Sequence, residues 1–228
     1  MKKMLLIVSF CLVLGGCSSN TTSNGDVTVD VPVPEISNEL PVKENPNSTS
    51  PLDSPITVTN IDEFLFRNDT FYVDTRDASQ IVEEGFIAGF TNIPFYEVLV
   101  SLKQKDQVLF TMKKMTDDNG KVTVLLGDVG SFVPNYKESE QIIKEIFPKD
   151  KNIIFFSTAG VEATYLMNLL IQLGYDSSKL YNAGHFSNSM GKNVAYREYK
   201  DAKYYVEGIQ SYKVTYTVDW GELTKIEK

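Results

Sequence analysis

The chain passes through distinct regimes of apolar and polar patterning. Met4 to Leu14 is an apolar run broken only by Ser9 and preceded by Lys2 and Lys3, too short to cross a bilayer as a permanent helix. Residues 18–55 show no apolar period. They contain six of the nine prolines, many Ser, Thr and Asn, and no aromatic, so they cannot bury enough surface to offset their ordering entropy. A disordered linker is expected over 17–55. After Phe10, the next aromatic is Phe64, where the pattern of a folded domain begins.

Within that domain, Ile61 to Phe66 predicts a short helix with Asn60 as its N-cap. Phe71–Val73 predicts a strand ending at Asp74, Ala78–Glu84 a helical turn, and Thr91–Ile93 a strand stopped by Pro94. Val108–Met112 and Val122–Leu126 flank Asn119-Gly120, a hairpin signal, with helix as the competing reading for 108–115. Residues 134–138 offer an N-cap and a capping-box Glu for a helix reaching Phe147 before Pro148. After Asn152, Ile153–Phe156 is an unbroken apolar run, as expected of a strand over 152–156 covered on both faces. Ser157, Thr158, Ala159 and Gly160 form a loop of small residues. Leu166, Leu169, Leu170 and Leu173 then mark a helix over 161–173 closed by Gly174. Lys179–Tyr181 is one more short strand. Strands alternating with helices imply an α/β fold with a mainly parallel sheet and helices on both faces.

Beyond this core, residues 192–228 contain six Tyr and Trp220. Tyr212–Val218 alternates like a half-buried strand, with Tyr204–Val206 as a hairpin partner. These aromatics either complete the domain's core or stay exposed as a contact for another surface protein.

Composition narrows the function classes. Thirty acidic against 22 basic residues give a net charge of −8, which leaves no general basic surface for nucleic acid. Both Cys lie at positions 11 and 17, so residues 18–228 contain no thiol. A domain disulfide, a zinc–thiolate site and a cysteine nucleophile are thereby excluded, and nothing in the pattern calls for a metal or cofactor.

Leu14-Gly15-Gly16-Cys17, after a basic and then an apolar stretch, resembles the lipobox of bacterial lipoproteins. That resemblance implies cleavage of a signal peptide over 1–16, a lipid on Cys17, and a place on the extracytoplasmic face of the cell membrane. Cleavage removes Lys2 and Lys3, leaving 20 basic against 30 acidic residues and a charge of −10. A lipid, not basic residues, would therefore hold the protein at the membrane.

Asp74-Thr75-Arg76-Asp77, the run Gly85 to Pro94, the 152–162 strand and loop, Leu173-Gly174-Tyr175-Asp176 and Ala183-Gly184-His185-Phe186-Ser187 occur in the order found in rhodanese domains. The chain resembles that family over about residues 56–191, with Phe86 where the family usually has His and a longer connection over 96–150. The resemblance implies a five-stranded, mainly parallel sheet, with 192–228 as an added extension. It also implies that a sulfur-carrying Cys should begin the loop after the fourth strand. Ser157 stands there, and a hydroxyl cannot carry a persulfide. The related phosphatases need that Cys and an Arg closing the loop, where this chain has Glu162, a charge that repels anions.

Three roles for the 157–162 loop stay open. Ser157 or Thr158 caps the helix from Val161; or the loop's N–H groups bind a small oxyanion or sulfur compound; or Ser157, His185 and Asp74 form a hydrolytic triad at the sheet edge. The expectation is a membrane-anchored rhodanese-like module without sulfurtransferase activity, serving in binding or structure, with the hydrolase as alternative. Its anchor is directly testable: Cys17→Ser should move the protein from the membrane fraction to the soluble fraction of fractionated cells, and retention at the membrane would refute the lipid assignment.

Overall fold

The computed structural model describes residues 38–102, 106–113, 132–157, 159–184, 203–207 and 218–227, together with the backbone of 9–13 and 211–215. In chain order the strands are β1 (Ser9–Val13), β2 (Thr70–Asp74), β3 (Phe86–Ile87), β4 (Thr91–Asn92), β5 (Val100–Ser101), β6 (Phe110–Met112), β7 (Phe132–Pro134), β8 (Asn152–Phe156), β9 (Leu180–Asn182), β10 (Tyr205–Val206) and β11 (Ser211–Thr215). The α-helices are α1 (Ala78–Glu84), α2 (Ser139–Ile146) and α3 (Val161–Gln172).

The fold is mixed α/β around a parallel four-stranded sheet in the order β4-β2-β8-β9. Side chains alternate across β8. Ile153 and Phe155 enter one apolar cluster with Val73, α3 and the Ile142–Phe147 segment. Ile154 and Phe156 enter the other with Tyr72, Ile56, Ile61, Leu65 and Tyr204. A strand buried on both faces needs this unbroken apolar run, because each successive side chain meets a different core.

The register brings the strands to a common C-terminal edge. Asp74 pairs with Asn92 on one side and Phe156 on the other, and Phe155 pairs with Asn182. Polar groups thus collect where the parallel strands stop and their carbonyls and amides need partners other than a ladder.

Among the described residues this sheet holds four strands rather than the expected five, and the segment expected to be a tether lies along its β9 side. Residues 38–55 lie against the domain. Lys43 is 5 % exposed, and its ammonium donates toward the carbonyls of Pro46, Ser48, Ser177 and Leu180 at 2.6–3.3 Å. The Tyr181 hydroxyl donates to the Pro41 carbonyl at 3.1 Å. The Thr49 carbonyl accepts from Thr164 Oγ1 and Asn182 Nδ2, each at 3.0 Å. This strap follows β9 through side-chain bonds. Pro41, Pro46 and Pro51 have no N–H to donate, so a regular ladder cannot form there. Low hydrophobicity suggested disorder, yet one buried ammonium and a few carbonyls suffice to dock the segment.

Other elements differ from expectation in detail. The helix after Pro134 begins at Ser139, and Asn135 does not cap it. Its amide instead donates to the Val108 carbonyl, and its side-chain oxygen accepts from Thr111 Oγ1. The helix at 61–66 shortens to a 3-10 turn over Ile61–Glu63, with Asn60 bonded to Thr57 and Pro55. In the insert, β6 is a strand rather than a helix, and it pairs with β7 and β5. The predicted hairpin turn at Asn119-Gly120 lies outside the described residues. The extension does not fold back on itself as a hairpin: β10 pairs with β3 and β11 with β1. Tyr204 enters the second core, Leu223 the first, and Trp220 lies 5.8 Å from the Tyr136 ring, so these extension residues pack on the domain. Among the described residues no helix is long and apolar enough to cross a membrane.

The strap makes a quantitative prediction. Lys43→Ala removes the donor to the buried Leu180 carbonyl and to three part-buried carbonyls and should cost about 3 kcal/mol. In a domain of this size that is a fall of roughly 6–12 °C in Tm, readable by circular dichroism. An unchanged Tm would mean the strap is not bound in solution.

Candidate functional site

Asp74 closes β2 and is followed by a tight turn into α1. Its carboxylate accepts Arg76 Nε at 3.0 Å, Arg76 Nη2 at 2.6 Å and the Arg76 backbone N–H at 3.1 Å. Both side chains are almost completely buried. Arg76 Nη2 also donates to the Gly85 carbonyl at 2.8 Å, and Nη1 approaches Glu84 at 3.4 Å. The guanidinium carbon lies 4.9 Å from the centre of the Phe156 ring. The Asn92 amide donates to the carbonyls of Asp74 and Arg76. A carboxylate so fully engaged by a guanidinium fixes the turn. It does not serve as the orienting acid of a triad.

The 157–162 loop follows β8. Ser157 is 0 % exposed, and its Oγ has no hydrogen-bond partner among the described residues. The predicted capping role of Ser157 is therefore not what the structure shows. The N-cap of α3 is Gly160, in the left-handed region at φ 77°, with no side-chain cap bond. Gly184 explains part of that choice, because a Cβ there would lie 2.5 Å from the Gly160 Cα. A Cβ on Gly160 would itself meet the Pro51 ring at 2.8 Å. The loop and the β9 end are thus packed backbone to backbone, with the Pro51 ring of the strap against them. Asn182 joins them by donating toward the Gly160 carbonyl at 2.9 Å and accepting from the Gly184 N–H at 3.1 Å. Thr158, His185 and Cys17 lie outside the described residues.

A cavity of about 290 Å³ opens at this same edge, between the β2–α1 turn and the start of α3. Thr75, Arg76, Asp77 and Gln80 line one side, Ala159, Val161 and Glu162 the other, and Tyr96 completes the wall. Ser157 is not among the lining residues. Tyr96 belongs to a single π-type turn, Phe95–Leu99, that begins directly after Pro94. Burial, then the negative charge of Glu162, and to a lesser degree Tyr165 and Asp77, push the Tyr96 phenol up to about 12. It remains a neutral hydroxyl at every physiological pH.

Sequence reasoning placed Asp74, Arg76 and the 157–162 loop at one edge, and the structure brings them there. It did not single out Gln80 or Tyr96, although Tyr96 stands two residues beyond the Asn92-Ile93-Pro94 motif. The described residues contain no group of three or more potential metal ligands. Comparison with protein-family models, curated proteins and solved structures finds no match.

The Asp74–Arg76 pair carries a clear stability prediction. Arg76→Met leaves Asp74 buried and uncompensated and should destabilise the domain by about 3–5 kcal/mol in chemical denaturation. A loss below about 1 kcal/mol, the range of exposed pairs, would show that the pair is solvated.

Proposed function

We propose that this is a rhodanese-like module held at the extracytoplasmic face of the membrane by a lipid on Cys17, and that it works by binding rather than by sulfur transfer. The observation that carries this reading is Ser157. It begins the loop after β8, where the resemblance puts the sulfur carrier, and its hydroxyl is wholly buried. Residues 18–228 supply no thiol to replace it. The parallel order of β4, β2, β8 and β9 is consistent with such a domain.

The hydrolase alternative receives no support from the geometry. A nucleophile must reach its substrate, Ser157 Oγ is enclosed, and Asp74 is committed to Arg76. An oxyanion is also disfavoured, since Glu162 in the first turn of α3 offsets the attraction of the helix N-terminus. Of the extension aromatics, Tyr204 and Trp220 pack on the domain, while Tyr196, Tyr199, Tyr216 and the Tyr212 side chain lie outside the described residues.

The test is thiocyanate formation from thiosulfate and cyanide by the detergent-solubilised protein. The expected rate equals the buffer blank. Thiocyanate production above the blank that disappears in Ser157→Ala would overturn the proposal.

A further inference from the structure

We infer that the cavity at the C-terminal edge of the sheet binds a small organic cation carrying an ammonium group. This deepens the binding role proposed above and rests on it.

The argument begins with what the walls present. Among the described residues lining the cavity, Arg76 is the one basic side chain, and its guanidinium is turned to other work. It is held by both Asp74 oxygens, donates to the Gly85 carbonyl and approaches Glu84, with its side chain 1 % exposed. Its charge is therefore more than balanced before any ligand arrives. The remaining charged walls, Asp77 and Glu162, are both carboxylates. They stand on opposite sides of the space, one at the start of α1 and the other in the first turn of α3. Neither forms an ion pair with a described cation. Asp77 accepts from a backbone N–H in the capping box of α1 and also lines the cavity wall.

The other walls suit an ammonium head on a short carbon frame. Tyr96 contributes an aromatic ring, a surface that attracts cations, and a phenol that does not ionise. Val161 and Ala159 are apolar, and the Gln80 amide oxygen, which accepts from the Asp77 N–H, completes the capping box at the wall. The volume of about 290 Å³ is at the low end for ligand pockets. It suits a quaternary amine or a short diamine rather than a nucleotide or peptide. A bare divalent cation would need more oxygen ligands than two carboxylates on opposite walls provide.

The experiment is isothermal titration of the detergent-solubilised full-length protein with tetramethylammonium chloride, 1,4-diaminobutane dihydrochloride and sodium sulfate at matched ionic strength. At least one ammonium salt should bind saturably and sulfate should not. Glu162→Gln should weaken that binding at least tenfold, and Val161→Trp, which fills the cavity, should abolish it, both with Tm close to that of the parent. Absence of saturable ammonium binding overturns the inference, as does equal affinity in Glu162→Gln. If one variant fails to fold, the other decides alone. The two proposals fail separately: thiocyanate formation removes the non-catalytic reading, whereas missing ammonium binding with no thiocyanate removes only the cation assignment.

Discussion

Burying a full charge pair at the end of a β-strand is costly unless every donor and acceptor is met, and the site edge is organised around meeting that demand. Arg76 bends back over its own turn to reach Asp74, draws in the carbonyl after α1, and rests on Phe156 of the neighbouring strand. Asn92, from the strand on the other side, ties the two backbone carbonyls together. One ion pair thereby joins β2, β4, β8 and α1. It also explains why Arg76, the basic side chain among the described cavity walls, contributes no available positive charge.

A second set of contacts performs the same service at the opposite flank of the sheet. There β9 is an edge strand, and an exposed edge invites unwanted pairing. The strap covers it without becoming a strand. Its prolines prevent a ladder, and Lys43 replaces ladder donors by reaching carbonyls of Ser177 and Leu180 with its ammonium. Burial lowers the Lys43 pKa, while Asp53 and Asp176 oppose that fall. The strap continues to Pro51, against Gly160, so the edge cover and the loop at the head of α3 are parts of one packing arrangement.

The legibility of the sequence followed the physical origin of each element. β8, α1 and α3 were readable because their signals are local: an apolar run, a run of helix formers, a leucine period closed by Gly174. The Asp74-x-Arg76 motif was readable through resemblance, whereas the ion pair between the two is made by the folded turn. The strap was not, because its order depends on one Lys meeting carbonyls far away in the chain, and no window of sequence contains both. Asn135 misled for a related reason: it stands where an N-cap would, but a buried Thr111 and the Val108 carbonyl claim its side chain. Tyr96 escaped notice since only the folded turn after Pro94 brings it to the walls formed by α1 and α3.

The strap also sets how force would enter the domain. Its first described residue, Asn38, is clasped to Glu63 and Arg67, just before β2 begins, while Thr49 and Pro51 are bonded and packed beside Gly160 at the far end of the sheet. The attachments at Asn38, Pro41, Lys43 and Thr49 are therefore spread along the strand direction. Tension on the chain upstream of Asn38, directed away from that end, loads these bonds together in shear instead of opening them one after another. The mouth of the cavity lies at the end of the sheet opposite Asn38, away from that point of traction.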